Sequence, residues 1–219
     1  MQTVNIFWFR RDLRLTDNVG LYHALKTNLP VLPIFIFDKN ILEILPDKLD
    51  RRVEYIHAAL HDMQVGLQKM GSSLQVFYGK PEDAFITLLE TYKIEKVFTN
   101  HDYESYAKKR DHSIADLLMK NGILFHSFKD QAIFEKDEVI KDDGKPYTVF
   151  TPYSRKWKTT LEDYHLKAYP TEKYFNHFYK QAAQPIPSLQ FMGFESTHQS
   201  FPKKDLQDEL IKKYGEQRN

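Results

Sequence analysis

Short unbroken apolar runs alternate with helix-period stripes over residues 1–130 of this chain. Val4–Phe9 has no polar face, the pattern of a strand covered on both sides. Thr16, Asp17 and Asn18 are helix-capping residue types, and Val19, Tyr22 and Leu25 follow at helical spacing. Pro30–Asp38 repeats the buried-strand pattern. From Asp50 onward, Val53, Ile56, Leu60, Met63, Leu67 and Met70 form one stripe of a long amphipathic helix, with Gly71 placed for its C-terminal cap. Ser73–Gly79 predicts a third strand. Pro81 opens a helix with Glu82 and Asp83 in its first turn and Phe85, Leu88, Leu89 and Tyr92 on one face. Lys96–Asn100 predicts a fourth strand, Tyr103–Asn121 a helix ended by Gly122, and Ile123–Phe128 a fifth strand. Five buried strands separated by helices predict an α/β fold, a five-stranded parallel sheet with helices on both faces.

Beyond Asp130 the rhythm decays. Residues 142–202 hold six prolines and only short helical patterns, at Thr151–Asp163 and, further on, at Lys203–Tyr214. Nine aromatic residues nevertheless lie between Tyr164 and Phe201. A disordered linker is poor in aromatics, so this Pro- and aromatic-rich segment is expected to pack on something. Two readings follow. It connects to a further domain, with residues 131–219 as connector, or it wraps the α/β unit itself.

Composition narrows the classes. The net charge of +1 supplies no global field for nucleic acid. The absence of cysteine excludes a disulfide framework and a thiolate metal site. No apolar run approaches the ~20 residues of a membrane helix, and the opening MQTVNIFWF lacks the basic start of a secretory signal. A soluble, cytoplasmic protein is the expectation.

In parallel α/β sheets, ligands gather at the carboxyl ends of the strands, and the candidate chemistry falls there. Arg10, Arg11, Asp12 and Arg14 follow the first strand at once. They suit either an anionic ligand or a charge network tying the strand end to its neighbours. No glycine precedes Gly20 in that turn, which disfavours a dinucleotide phosphate cradle. Asn100, Asp102 and Glu104 follow the fourth strand at alternate spacing. A carboxylate there suits the N–H edge of a pterin- or flavin-like ring, or else caps the next helix. Asp38 closes the second strand, and Arg51 and Arg52 open the long helix. These either complete the same pocket or pair with each other. His57 and His61 have metal-ligand spacing but no third ligand nearby. The basic and aromatic run Tyr153–Lys158 suits either base stacking or a solvated helix face. No nucleophilic catalytic set is apparent.

The run WFRRDLRLTDN, from Trp8 to Asn18, resembles the opening signature of the DNA photolyase/cryptochrome family. VLPIFIFD, DRRVEYI, TNHDYESYAKKRD, GKPYTVFTPYSRKW and KKYGEQRN resemble later family segments in the same order. The resemblance implies a Rossmann-like α/β domain over residues 1–130 that binds an antenna chromophore, either deazaflavin- or flavin-like or methenyltetrahydrofolate. It also implies a helical FAD-binding domain downstream that engages ultraviolet-damaged DNA. No membrane and no protein partner are implied, and no catalytic residue falls within this sequence. Carried over position by position, it assigns Glu104, Asp102, Asp38, Arg52 and Arg11 to the antenna, and Tyr214 to FAD contact. Repair of cyclobutane pyrimidine dimers is the implied activity. Alternatives are a cryptochrome-type photoreceptor and a stand-alone nucleotide-binding module.

Overall fold

The computed structural model describes residues 2–202 and 208–217. Five strands form one wholly parallel sheet in the order β3-β2-β1-β4-β5. They are β1 (Thr3–Phe9), β2 (Val31–Asp38), β3 (Gln75–Gly79), β4 (Lys93–Asn100) and β5 (Leu124–Phe128). β1 and β2 are buried almost throughout, as their unbroken apolar runs require.

Helices cover both faces. α1 (Val19–Leu25) and α3 (Arg51–Lys69) contribute Leu21, Leu25, Leu60 and Leu67 to one core layer, together with Phe7, Phe9, Phe35 and Phe37 of the sheet. α4 (Pro81–Thr91) and α5 (Ser105–Lys120) supply Phe85, Leu88, Ile114 and Leu118 to the opposite layer, around Ile6, Trp8 and Ile34. The short helix α2 (Lys39–Leu42), absent from the sequence pattern, is started by Asp38, whose carboxylate accepts from Asn40 N at 3.0 Å. Gly71 and Gly122 both adopt φ +72°, the left-handed conformation that ends α3 and α5.

The ring-rich segment wraps the α/β unit. Phe178, Met192 and Phe194 are at most 3% exposed and join the α3-side core. Tyr179 N donates to Val31 O at 2.8 Å, and Gln64 Nε2 on α3 donates to Gln184 O at 2.7 Å. Ser196 and Thr197 both donate to the Glu54 carboxylate. These residues therefore follow the second reading, in which the segment wraps the α/β unit itself. Helix α6 (Phe150–Thr160) has no buried residue. It touches the rest through Trp157, whose ring meets Phe134 edge-on at 5.4 Å. Two 3₁₀ segments, Asp163–Leu166 and Thr171–His177, follow it. Of the helix expected over Lys203–Tyr214, residues 203–207 lie outside the described residues. Helices α7 (Asp208–Lys212) and α8 (Tyr214–Gln217) represent the remainder.

Candidate functional site

The chain runs outward from β1 in both directions, to β2 on one side and β4 on the other. Loops leaving the carboxyl ends of β1 and β4 therefore diverge, and a crevice opens between them. A hollow of about 250 Å³ lies there, lined by Arg10, Arg11, Asp12, Arg14, Asn100, His101, Asp102, Asp130 and Gln131.

Its floor is a polar knot. Asn18 caps α1 by accepting from Leu21 N at 3.0 Å, and its Oδ1 also accepts from Asn100 Nδ2 at 2.9 Å. Asn100 Nδ2 reaches the carboxylates of Asp12 and Asp130 as well, while its Oδ1 accepts from Gly20 N at 2.9 Å. Asp130 is further paired with Arg14 at 2.7 Å. Burial pushes the Asp130 carboxyl above the usual carboxylate range, against the pull of Arg14.

The dense charge after β1 is thus matched residue by residue. Arg10 lies against both oxygens of Asp111, at 2.6 and 2.7 Å. Burial lowers its guanidinium pKa despite that partner. Arg10 and Arg110 also flank the Trp8 ring, with guanidinium carbons 5.2 and 5.0 Å from its centroid. These cations are spent on structure and leave the crevice with no large excess of positive charge.

Arg11 is different because it faces the opening. Its Nη2 lies 2.6 Å from Glu104 Oε1 and its Nε 3.4 Å from Asp102 Oδ2. Burial alone would lower its pKa, but the two carboxylates raise it overall. Glu104 occupies the N-cap position of α5 yet makes no side-chain cap bond. Its carboxylate turns to Arg11 instead and stays 59% exposed. Asp102 is held firmly, with only 8% of its side chain exposed, and Arg110 Nη2 lies 4.0 Å from the same Oδ2 oxygen.

The remaining candidates are placed elsewhere. Asp38 is buried beside this group without lining the hollow; its Oδ2 accepts from Tyr106 Oη at 2.6 Å. Burial raises the Asp38 pKa, and burial together with Asp38 pushes the Tyr106 hydroxyl up to about 12. Asp38 communicates with Asp102 only through Tyr106 and Arg110, whose guanidinium lies 5.8 Å from the Tyr106 centroid. Arg52 pairs with Asp50 of its own helix start, Nε to Oδ1 at 3.0 Å, and is 77% exposed. Its neighbour Arg51 instead reaches Thr197, Gln199 and Ser200 of the wrapping segment. Tyr214 is exposed on α8. The structure therefore brings Arg11, Asp102 and Glu104 together, sets Asp38 one layer behind, and leaves Arg52 and Tyr214 apart. His57 donates to or accepts from no metal-type cluster; its Nε2 meets Pro187 O at 3.0 Å, and no group of three metal-ligating side chains exists among the described residues.

Sequence reasoning missed His101, Asp130, Gln131 and Glu135. The rule that placed the other candidates, proximity to a strand's carboxyl end, also marks His101 after β4 and Asp130 after β5. Glu135 carries no such mark.

The DNA photolyase family profile matches residues 5–173. This chain belongs to that family. The deoxyribodipyrimidine photo-lyase of Synechococcus sp. (strain ATCC 27144) is 33% identical over 153 residues, which cover 70% of this chain and 31% of that enzyme. The chain thus spans about a third of that relative's length. A crystal structure of an archaeal photolyase from Sulfolobus tokodaii, described with two FAD molecules and as implying a novel light-harvesting cofactor, is 34% identical. It superposes with a TM-score of 0.55, covering 62% of this chain and 31% of that one. A bacterial class III photolyase from Agrobacterium tumefaciens covers 99% of this chain and 42% of its own, with a TM-score of 0.72. At 23% identity it speaks to the fold alone. The family's α/β architecture thus agrees with the parallel sheet read from the apolar pattern.

Proposed function

We propose that this chain is the antenna-chromophore-binding part of a light-driven DNA repair enzyme, a deoxyribodipyrimidine photo-lyase that splits cyclobutane pyrimidine dimers. The observation that carries the reading is the Asp102–Arg11–Glu104 group at the rim of the crevice between β1 and β4. A buried carboxylate, a cation and an exposed carboxylate stand together and offer hydrogen-bond acceptors and a donor to the edge of a flat heterocycle. Charge-assisted hydrogen bonds of this kind both hold and orient such a ring. A deazaflavin- or flavin-like ligand would accept from Arg11 at a ring carbonyl and donate to the carboxylates through its N–H or hydroxyl groups, and methenyltetrahydrofolate is the competing ligand. Asp38 supports the site from behind through Tyr106 and Arg110. Arg52, paired with Asp50 away from the crevice, has no part in this ring contact.

In this reading, FAD and damaged DNA are bound by a helical portion outside these 219 residues, and residues 131–219 lead toward it. FAD bound there would supply the electron that opens the cyclobutane ring, and the chromophore held by the present residues would gather light for that chemistry. Val149, Phe150, Tyr164 and Leu166 are more than half exposed, apolar surface suited to such a neighbour. Tyr214 would join the FAD contact only there. A cytoplasmic location follows from the proposed role.

The test is calorimetric titration of the purified chain with flavin, deazaflavin and methenyltetrahydrofolate, set against ATP. One ring ligand should bind, and Glu104→Ala should weaken it by about 1.5–3 kcal/mol, the worth of a charged hydrogen bond. Binding of ATP with indifference to all three rings would overturn the reading in favour of a nucleotide module. The repair activity itself is checked by light-dependent loss of dimers from irradiated DNA on adding the full-length enzyme; no loss under light would refute it.

A further inference from the structure

One titratable pair at the crevice has no part in the scheme above. His101 lines the hollow, and its backbone is fixed by donation from its N–H to Phe128 O. Its ring Nδ1 lies 2.8 Å from Oε2 of Glu135, in the loop beyond β5. Glu135 is more than nine-tenths buried, and its other oxygen, Oε1, is buried without a partner among the described residues. A buried carboxylate with a single donor gives that donor up only at high cost. A carboxylate also offers acceptors only, so the proton of a neutral His101 sits on Nδ1. The remaining ring atom, Nε2, has no hydrogen-bond partner among the described residues and must then be a bare acceptor.

We propose that Glu135 fixes the tautomer of His101, so that His101 Nε2 presents an acceptor to the crevice and recognises heterocycles with a lactam or imide N–H edge. The proposal rests on the reading of the crevice as a ring site and names the chemistry it selects. Its surroundings favour a neutral N–H donor over an anion. Arg10, Arg11 and Arg14 are each already matched to carboxylates, and Asp12, Asp102 and Asp130 line the same hollow. An added anion would meet three carboxylates with no unmatched cation. An imide edge would instead donate its single N–H to His101 Nε2 and accept from Arg11 at a flanking carbonyl. Glu135 is a positioning residue in this scheme, acting through the imidazole.

The test uses the whole chain with lumiflavin, which carries an imide N–H and no phosphate, and with 3-methyl-lumiflavin, in which that N–H is blocked. Wild type should bind lumiflavin about 3- to 10-fold more tightly than the methylated ring, the worth of one hydrogen bond. Glu135→Gln keeps the shape but can donate its amide N–H to Nδ1, which moves the imidazole proton to Nε2. In that variant the difference between the two rings should vanish. A merely structural role would weaken both rings and leave their ratio unchanged, which would overturn the proposal. Ligand-free ¹⁵N NMR of the imidazole supplies an independent readout. Wild type should show unprotonated Nε2 and the Glu135→Gln variant protonated Nε2; a protonated Nε2 in neutral wild-type imidazole would refute the tautomer assignment. Failure of wild type to bind either ring, with the expected NMR signature intact, would sink the ring-site reading and the recognition role with it. Equal binding of the two rings by wild type would sink the recognition role alone.

Discussion

Gly20 shows at a single residue how tightly the crevice floor is built. A Cβ added there would lie 2.6 Å from Asn100 Oδ1, 2.9 Å from the Phe7 ring and 3.1 Å from the Thr99 carbonyl. The contact that forbids it is the one that holds α1 against β4, since Gly20 N donates to the same Asn100 oxygen. Gly20→Ala should therefore destabilise the chain by about 1–3 kcal/mol, the usual cost of overpacking. Urea unfolding would show this as a lowered midpoint at unchanged slope. The sequence hides this reason, because the glycine sits in an ordinary helical stretch and its neighbour is 80 residues away. The two readings of Glu104, ring ligand or helix cap, were likewise inseparable by spacing. Only the direction of its side chain, toward Arg11 and away from the helix start, shows that it is no cap.

At the scale of elements, β1 and β2 were legible because a strand buried on both faces must be apolar throughout, and that pattern is local, whereas β3 and β5 at the sheet edges are only partly buried, against the expectation of five buried strands. The wrapping of residues 178–200 was not, because its partners lie far off in sequence. Phe178 bridges to Val31 at the start of β2, and Phe194 sits under Lys48, whose ammonium lies 5.0 Å from the ring centroid. Composition disclosed that the segment packs, and nothing in it disclosed on what. If this segment belongs to the folding unit, Phe178→Ala should cost about 3–5 kcal/mol, as for other fully buried aromatics. A thermal shift within error of wild type would show instead that the segment is dispensable. The crevice has a mixed legibility for the same reason. Residues adjoining a strand end, such as Arg11 and Asp102, are marked by position, whereas Glu135 reaches His101 from an irregular loop that no periodicity describes.

For the molecule as a whole, the wrapping segment and the crevice should respond to acid in opposite senses. Glu54 receives hydrogen bonds from Ser196 and Thr197, which hold its pKa below the ordinary 4.5. Its contribution is present above the unfolded value and is lost as pH falls through the folded one. His57 is depressed below 6.5 by burial and by His61, against the Pro187 carbonyl. The unfolded chain therefore takes up that proton first, and stability falls as pH drops below 6.5. Asp38 and Asp130 are raised above 3.8 by burial, so their carboxyls favour the folded state as pH falls through their folded values. Hydrogen exchange between pH 7 and 4 should show residues 184–200 losing protection before the crevice loops do. Simultaneous loss in both regions would contradict this order.

The account stands on a flat ring seated where β1 and β4 part, gripped by Arg11, Asp102 and Glu104. A crystal structure of the chain grown with the ring ligand that titrates tightest tests it most directly. The account predicts planar density in that crevice, within hydrogen-bond distance of Asp102, and a Glu104 side chain turned from Arg11 toward the ring. Density against another face, with the Arg11–Glu104 pair undisturbed, would contradict it.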